Sequence, residues 1–165
     1  MPSTVYTAQD RSLPAIKFLV GLNTQGALIL NNIVTVIDFD TVHFDPAGAI
    51  GTSNYFTAPI KGYYYFHLQF LWQSASVFNA AERADIRLYV NNSRIEEITT
   101  LTVPDDADSF STFLHQKANG IILLNRGDTV SMRMFQQTGV SQYAYSGGDA
   151  NRWTSFGGFL IRPES

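Results

Sequence analysis

The sequence contains no cysteine, which excludes a disulfide framework, thiolate metal sites and cysteine redox chemistry. Its three histidines, His43, His67 and His115, stand far apart, and no Gly-x-Ser-x-Gly, His-Glu-x-x-His or His-x-His pattern occurs. Neither a hydrolytic triad nor a histidine metal centre is spelled out, and the chain is expected not to be an enzyme. Charged residues are only 15% of the chain, are scattered, and leave a net charge of −3. That balance offers no surface for tracking phosphates, so nucleic acid is not an expected partner. No apolar run approaches the roughly 20 residues of a helical membrane span. Residues 1–25 show no basic start, apolar run and small-residue cleavage site, so no signal peptide is read. The chain is expected to be soluble without membrane insertion, with an extracellular, cell-surface or virion location left open.

What is present is a chain of 165 residues, long enough for one domain that buries about 70% of its unfolded surface without metal or disulfide staples. Residues 1–14 are polar, with Pro2 and Pro14 as punctuation, and are expected to form a leader or tether before a domain spanning 15–165. From Ile16 onward, short β-branched and aromatic runs alternate with turn clusters, and no segment keeps helical periodicity for three turns. The pattern is all-β. Strands are expected near 15–22, 27–31, 34–44, 53–59, 63–72, 84–91, 94–101, 109–116, 120–124, 129–136 and 154–162. Lys61-Gly62, Asn91-Asn92-Ser93 and Asn125-Arg126-Gly127-Asp128 read as tight turns, whereas 73–83, 102–108 and 137–153 read as long loops. In an antiparallel sandwich, successive connections alternate between ends, so the three long loops should share one end.

The segment from Gly62 to Trp72 stands out because it is apolar on both faces of a strand. With a two-residue period, Tyr64, Phe66, Leu68, Phe70 and Trp72 point one way, while Tyr63, Tyr65, His67, Gln69 and Leu71 point the other. The first set is core. The second, tyrosine-rich and semi-polar, has the composition of a protein–protein contact and points to an obligate oligomer.

From Phe39 the chain also resembles the globular head of complement C1q and its relatives in the tumour necrosis factor superfamily. The resemblance rests on Phe39, Asp45, Ile50 and Phe56 at family-like spacing, then Gly62-x-Tyr64-x-Phe66-x-Leu68. Gly127-Asp128-Thr129-Val130 resembles the late hairpin, and Ser155-Phe156-Gly157-Gly158-Phe159-Leu160-Ile161 the closing strand. Ile50 and Leu68 stand where the family usually has aromatics, and the gap before Phe56 is one residue short. The resemblance implies a ten-stranded jelly-roll β-sandwich assembled as a tight homotrimer, one sheet of each protomer against the threefold axis. Phe39, Phe56, Gly62, Tyr64, Phe66, Phe156 and Phe159 form its core signature; Gly62 is expected in a turn, as a position where a Cβ is costly if φ is positive. Tyr63, Tyr65, His67, Leu71 and Gly157 are the candidate trimer interface.

Each remaining motif has a plainer alternative. A cupin, the main enzymatic jelly roll, needs clustered histidines that are missing here. Asp105, Asp106 and Asp108 offer oxygen ligands, and related heads sometimes hold calcium near the apex; the alternative is a solvated acidic turn, and no cofactor is required. Arg126-Gly127-Asp128 spells an integrin-type tripeptide, and Asn91-Asn92-Ser93 a glycosylation sequon, yet both also read as hairpin turns. Tyr143, Tyr145, Asp149, Arg152 and Trp153, interrupted by Gly147-Gly148, are the ligand-binding candidates, suited to a glycan or protein; the alternative is that Trp153 and a tyrosine anchor the loop on the core. The sequence therefore reads as a non-enzymatic, trimeric head that recognises an extracellular protein or glycan through apical loops. The other reading is a structural, trimerising tip of a viral, phage or bacterial surface fibre.

Overall fold

The computed structural model describes residues 15–23, 26–51, 55–73, 82–102, 113–146 and 153–164, with 94–102 and 113–114 as backbone alone. The expected leader, residues 1–14, lies outside them. No helix occurs among the described residues; the chain forms β1 (Lys17–Gly21), β2 (Leu28–Ile29), β3 (Thr35–Val36), β4 (Thr41–Phe44), β5 (Phe56–Thr57) and β6 (Gly62–Gln73), then β7 (Arg83–Val90), β8 (Ser93–Thr102), β9 (Phe113–Leu124), β10 (Thr129–Gln137), β11 (Gln142–Ala144) and β12 (Ser155–Pro163). They build a jelly-roll sandwich. Its seven-stranded sheet runs β2-β11-β6-β12-β1-β4, with β9 also paired to β6, and its five-stranded sheet runs β3-β10-β7-β8, with β5 paired to β10.

β6 is the axis of the larger sheet. All of its twelve residues pair with β9, from Gly62 with Leu124 to Gln73 with Phe113. On its other side β12 pairs along Gly62 to Gln69, and β11 takes over at Trp72 and Gln73. Tyr64, Phe66, Leu68, Phe70 and Trp72 are completely buried, as the two-residue period predicts. Phe18, Phe56, Phe66 and Phe156 form one aromatic cluster, with ring centroids 4.9 Å apart for Phe18–Phe56 and Phe18–Phe156 and 5.8 Å for Phe66–Phe156. Tyr64 joins it while its hydroxyl donates to the Ile60 carbonyl at 2.8 Å, so the one polar atom of the cluster is satisfied. Near the other end, the Trp72 indole donates to Gln116 at 2.8 Å, and Gln116 donates to the Ala84 carbonyl of the facing sheet at 3.1 Å.

The register settles the polarity of the loops. Gln73 lies opposite Phe113, and Arg83 opposite both Thr102 and Gln137, so the connections after β6, β8 and β10 leave from one end. The tight turns occupy the other. Asn91 and Asn92 hold φ of 50° and 64°, the left-handed pair of a two-residue hairpin. Asn91 ties this hairpin to the next: its amide donates to Asp128 at 2.8 Å and its carbonyl oxygen accepts from Thr129 N at 2.9 Å. The Asp45 carboxylate likewise fixes its loop by accepting from the backbone of Ala49 and Ile50 at 2.9 and 2.8 Å.

Several expectations change. The strand expected over 34–44 is two strands in opposite sheets, β3 beside β10 and β4 beside β1, because the chain crosses between layers over residues 37–40. The strands expected over 109–116 and 120–124 are one where they are described, from Phe113 on, since Lys117, Ala118 and Asn119 between them stay in the ladder opposite Gln69, Leu68 and His67; residues 109–112 lie outside the described residues. β11 falls inside the expected long loop. Gly62 is not in a turn with positive φ; it lies within β6, where an added Cβ would meet the Arg162 carbonyl at 2.6 Å and Leu160 at 2.7 Å. Phe159 is not core: β12 buries Phe156 and Gly158, so Phe159, three residues from Phe156, faces outward and is 48% exposed.

Gly158 and Gly120 make a paired test of this packing. A Cβ at Gly158 would meet the Tyr65 carbonyl at 2.7 Å, Phe66 at 2.9 Å and Phe18 at 3.0 Å, whereas one at Gly120 meets nothing within 4 Å. Gly158→Ala is expected to cost about 1–3 kcal/mol by overpacking. Gly120→Ala should be neutral or stabilise by up to about 1 kcal/mol through the unfolded chain. Denaturant midpoints read the difference, and equal midpoints would contradict the packing described.

Candidate functional site on the outer face of the seven-stranded sheet

The two sheets present opposite chemistry to their surroundings. On the outer face of the five-stranded sheet, Asp85 is fully buried between two arginines, 2.8 Å from Arg83 and 2.6 Å from Arg87. Arg87 also lies over the Phe135 ring at 4.3 Å, and Arg133 over Tyr89 at 4.0 Å. Guanidinium groups cover the aromatic carbon there, leaving a surface suited to water.

The outer face of the seven-stranded sheet is different. Cross-strand partners share a face, so the register assembles rows across it. Leu123, Tyr63 and Arg162 form one row; Ile121, Tyr65, Phe159 and Lys17 the next; Asn119, His67, Gly157, Leu19 and Phe44 a third. Ile121 is 63% exposed, and Leu123, Phe44 and Phe159 are exposed with it. Phe159 packs on Tyr65 with ring centroids 5.1 Å apart, and Arg162 lies over Tyr63 at 4.7 Å. Tyr63, Tyr65 and His67 are half-buried. In the third row the absent side chain of Gly157 leaves a recess of about 280 Å³, lined by Leu19, Phe44, Tyr65, His67 and Phe159 with Lys17 at its rim. A contiguous exposed apolar sheet face of this kind marks a place where protein, ligand or membrane is bound, or where the chain is prone to aggregate.

A protein-family comparison decides the lineage: the C1q domain model matches residues 18–161. The chain belongs to the C1q domain family. Among solved structures it resembles the globular domain of zebrafish complement 1qA protein, at 20% identity, with a TM-score of 0.58 over 92% of this chain and 99% of that one. It also resembles the Eiger TNF of S. frugiperda, at 10% identity, with a TM-score of 0.65 over 92% of this chain and 96% of that one. No curated protein sequence matches it. C1q and TNF-like domains are typically trimeric, usually extracellular and generally non-enzymatic.

Within this C1q domain, the candidate interface residues Tyr63, Tyr65, His67 and Gly157 fall together on the apolar face. Leu71 shares their direction along β6 but is only 8% exposed. Its backbone is tied to Thr154 Oγ1 and Tyr145 N, which fill the space beside β6 between β11 and β12. Sequence reasoning missed Ile121, Leu123, Leu19 and Phe44. For the first two a signal existed: Ile121-Ile122-Leu123-Leu124 is apolar on both faces, by the same rule that singled out β6.

The ligand-binding candidates divide. Asp149 and Arg152 lie outside the described residues, as do Asp105, Asp106 and Asp108 of the calcium expectation. Tyr143 is on β11, opposite Gln73 and Leu28, and is exposed on the same sheet face as Tyr65. Tyr145 is half-buried, its backbone held by Leu71. Trp153 is partly exposed, its ring edge-on to His115 at 5.9 Å. The loop aromatics thus continue the outer face rather than standing clear of it. Before them, the β10–β11 turn is braced by Asn31, which accepts from Thr138 N and Gly139 N at 3.0 Å each.

The two surface motifs resolve as turns. The Asp128 carboxylate accepts from the Asn91 amide and from Asn125 N at 2.7 Å, and these bonds hold its pKa below the usual value. Both the tripeptide's acid and the sequon's amide are therefore engaged in the hairpin clamp.

His67 and His115 are pushed below the ordinary histidine value of 6.5, by burial first and then by the Lys117 charge. Folding thus favours neutral imidazoles that the unfolded chain would already protonate. Their contribution is complete above about pH 6.5 and is lost as pH falls below it. The thermal midpoint is expected to drop between pH 7.5 and pH 5, and to drop less in His67→Gln; an equal drop would remove His67 from this account.

Proposed function

We propose that the chain is a non-enzymatic homotrimeric recognition head. The seven-stranded sheet of each protomer packs against the threefold axis, and the long-loop end meets an extracellular protein or glycan. The observation that carries this reading is the uncovered apolar face around Tyr65, Ile121 and Phe159, set against the arginine-covered face of the other sheet. Three copies of a modest loop-end site then act together, since linked sites gain avidity without new contacts. Tyr143, Tyr145 and Trp153 are the described ligand candidates toward that end, with Asp149 and Arg152 between Tyr145 and Trp153 in sequence.

A second reading has support of its own. The described ligand candidates belong to the sheet and its immediate flank, and the interface is the better-developed feature. In that reading the domain is chiefly a trimerising tip of a viral, phage or bacterial surface fibre.

Light scattering tests the assembly that both readings share, and attachment separates them. The expected mass is three times the 18.4 kDa chain, falling to one chain in Tyr65→Glu, where a buried unpaired charge costs several kcal/mol. A monomeric parent protein, or a Tyr65→Glu trimer, would refute the assembly. Tyr143→Ala combined with Trp153→Ala should reduce attachment to target cells or glycan surfaces about tenfold or more, as loss of an aromatic anchor does, with the mass measured on the same sample because both side chains border the sheet face that assembles. Unchanged attachment with intact assembly would favour the fibre-tip reading.

A further inference from the structure

The outer face carries both a protrusion and a depression, and they are not the same place. Ile121 is the most exposed large apolar side chain among the described residues. It stands on β9, which pairs with β6 and with no other described strand. The recess over Gly157 lies two strands away, with Phe159 and Tyr65 on the side nearer β9 and Leu19 and Phe44 on the far side. Its floor cannot be filled from within, because a Cβ at Gly157 would already meet Leu19 at 3.0 Å and the Phe18 carbonyl at 3.1 Å. At about 280 Å³ it has room for a branched aliphatic side chain.

Resting on the trimeric reading, we propose that Ile121 of a second copy occupies this recess, so that each interface joins the β9 edge of one protomer to the Gly157 region of the next. A knob and a hole displaced on one surface satisfy each other head to tail, and repetition of that contact closes a ring where the rotation between copies is one third of a turn. Two features favour a second copy over another occupant. The complementary pieces belong to the same chain and the same sheet face, and the C1q domain family is typically trimeric. Lys17, whose ammonium lies 5.8 Å from the Phe44 ring centre, borders the recess and keeps its charge at the rim as Ile121 enters.

The absence of cysteine makes the test clean. Ile121→Cys and Phe159→Cys, combined in one chain, stand on strands separated by β6, about 10 Å apart at the usual strand spacing. That exceeds the roughly 7 Å limit for a disulfide within one protomer. Mild oxidation should give covalent dimers and trimers on a non-reducing gel, while each single variant stops at a dimer or below. Ile121→Ser, which keeps the fold because the side chain is exposed, should raise the concentration for half-assembly about tenfold or more. A parent protein that is trimeric by light scattering, with no cross-linking beyond the single variants and an Ile121→Ser assembly curve unmoved, would overturn the pairing while leaving the trimer standing. A monomeric parent would overturn both. Cross-linking only between two Ile121→Cys positions would also overturn it, by placing like edges together.

Discussion

Phe18 and Phe66 close over Gly158 so tightly that a methyl group there would sit 2.9–3.0 Å from both rings and 2.7 Å from the Tyr65 carbonyl. That fit brings β12 against β6 at the centre of the larger sheet and lets Phe156 complete the aromatic cluster. The alternation of β12 then dictates the rest: with Phe156 and Gly158 turned inward, Gly157 and Phe159 turn outward. The same constraint that packs the core therefore makes the external recess and one of its walls. Core and outer apolar face are two sides of one strand pairing.

The second organising contrast is electrostatic. An aspartate as deeply buried as Asp85 is tolerable only because Arg83 and Arg87 hold it, and Arg87 is itself spread over Phe135. This places cationic side chains over the described aromatic carbon of the five-stranded sheet. Across the sandwich, Lys17, Lys117, His67 and His115 are spaced among apolar side chains, and no described carboxylate pairs across β6 with the histidines. Solvent suits the first face; the second presents apolar carbon to it.

Much of this was legible in the sequence, and the reasons for the rest are specific. The inward and outward sets of β6 could be read because period-two alternation persists over the whole strand, and the common end of the long loops followed from antiparallel topology. Phe159 was misplaced because its membership in an aromatic signature outweighed the alternation that Phe156 imposes. Gly62 reads as a turn residue because a glycine closely following Pro59 suggests one; only the packing shows the Arg162 carbonyl where its side chain would be. Residues 117–119 read as a break between two strands, yet Lys117, Ala118 and Asn119 keep the ladder opposite Gln69, Leu68 and His67. Ile121 and Leu123 carried the same two-faced pattern as β6, hidden by that supposed break.

The open side of β9 has a consequence for handling the protein. A twelve-residue strand whose only described ladder partner is β6 leaves a row of amides and carbonyls beside exposed Ile121 and Leu123. Such an edge templates the addition of further strands. Lys117 and Asn119 dilute its apolar character over one half only. A chain with this edge open is colloidally fragile in a way that its modest net charge does little to offset.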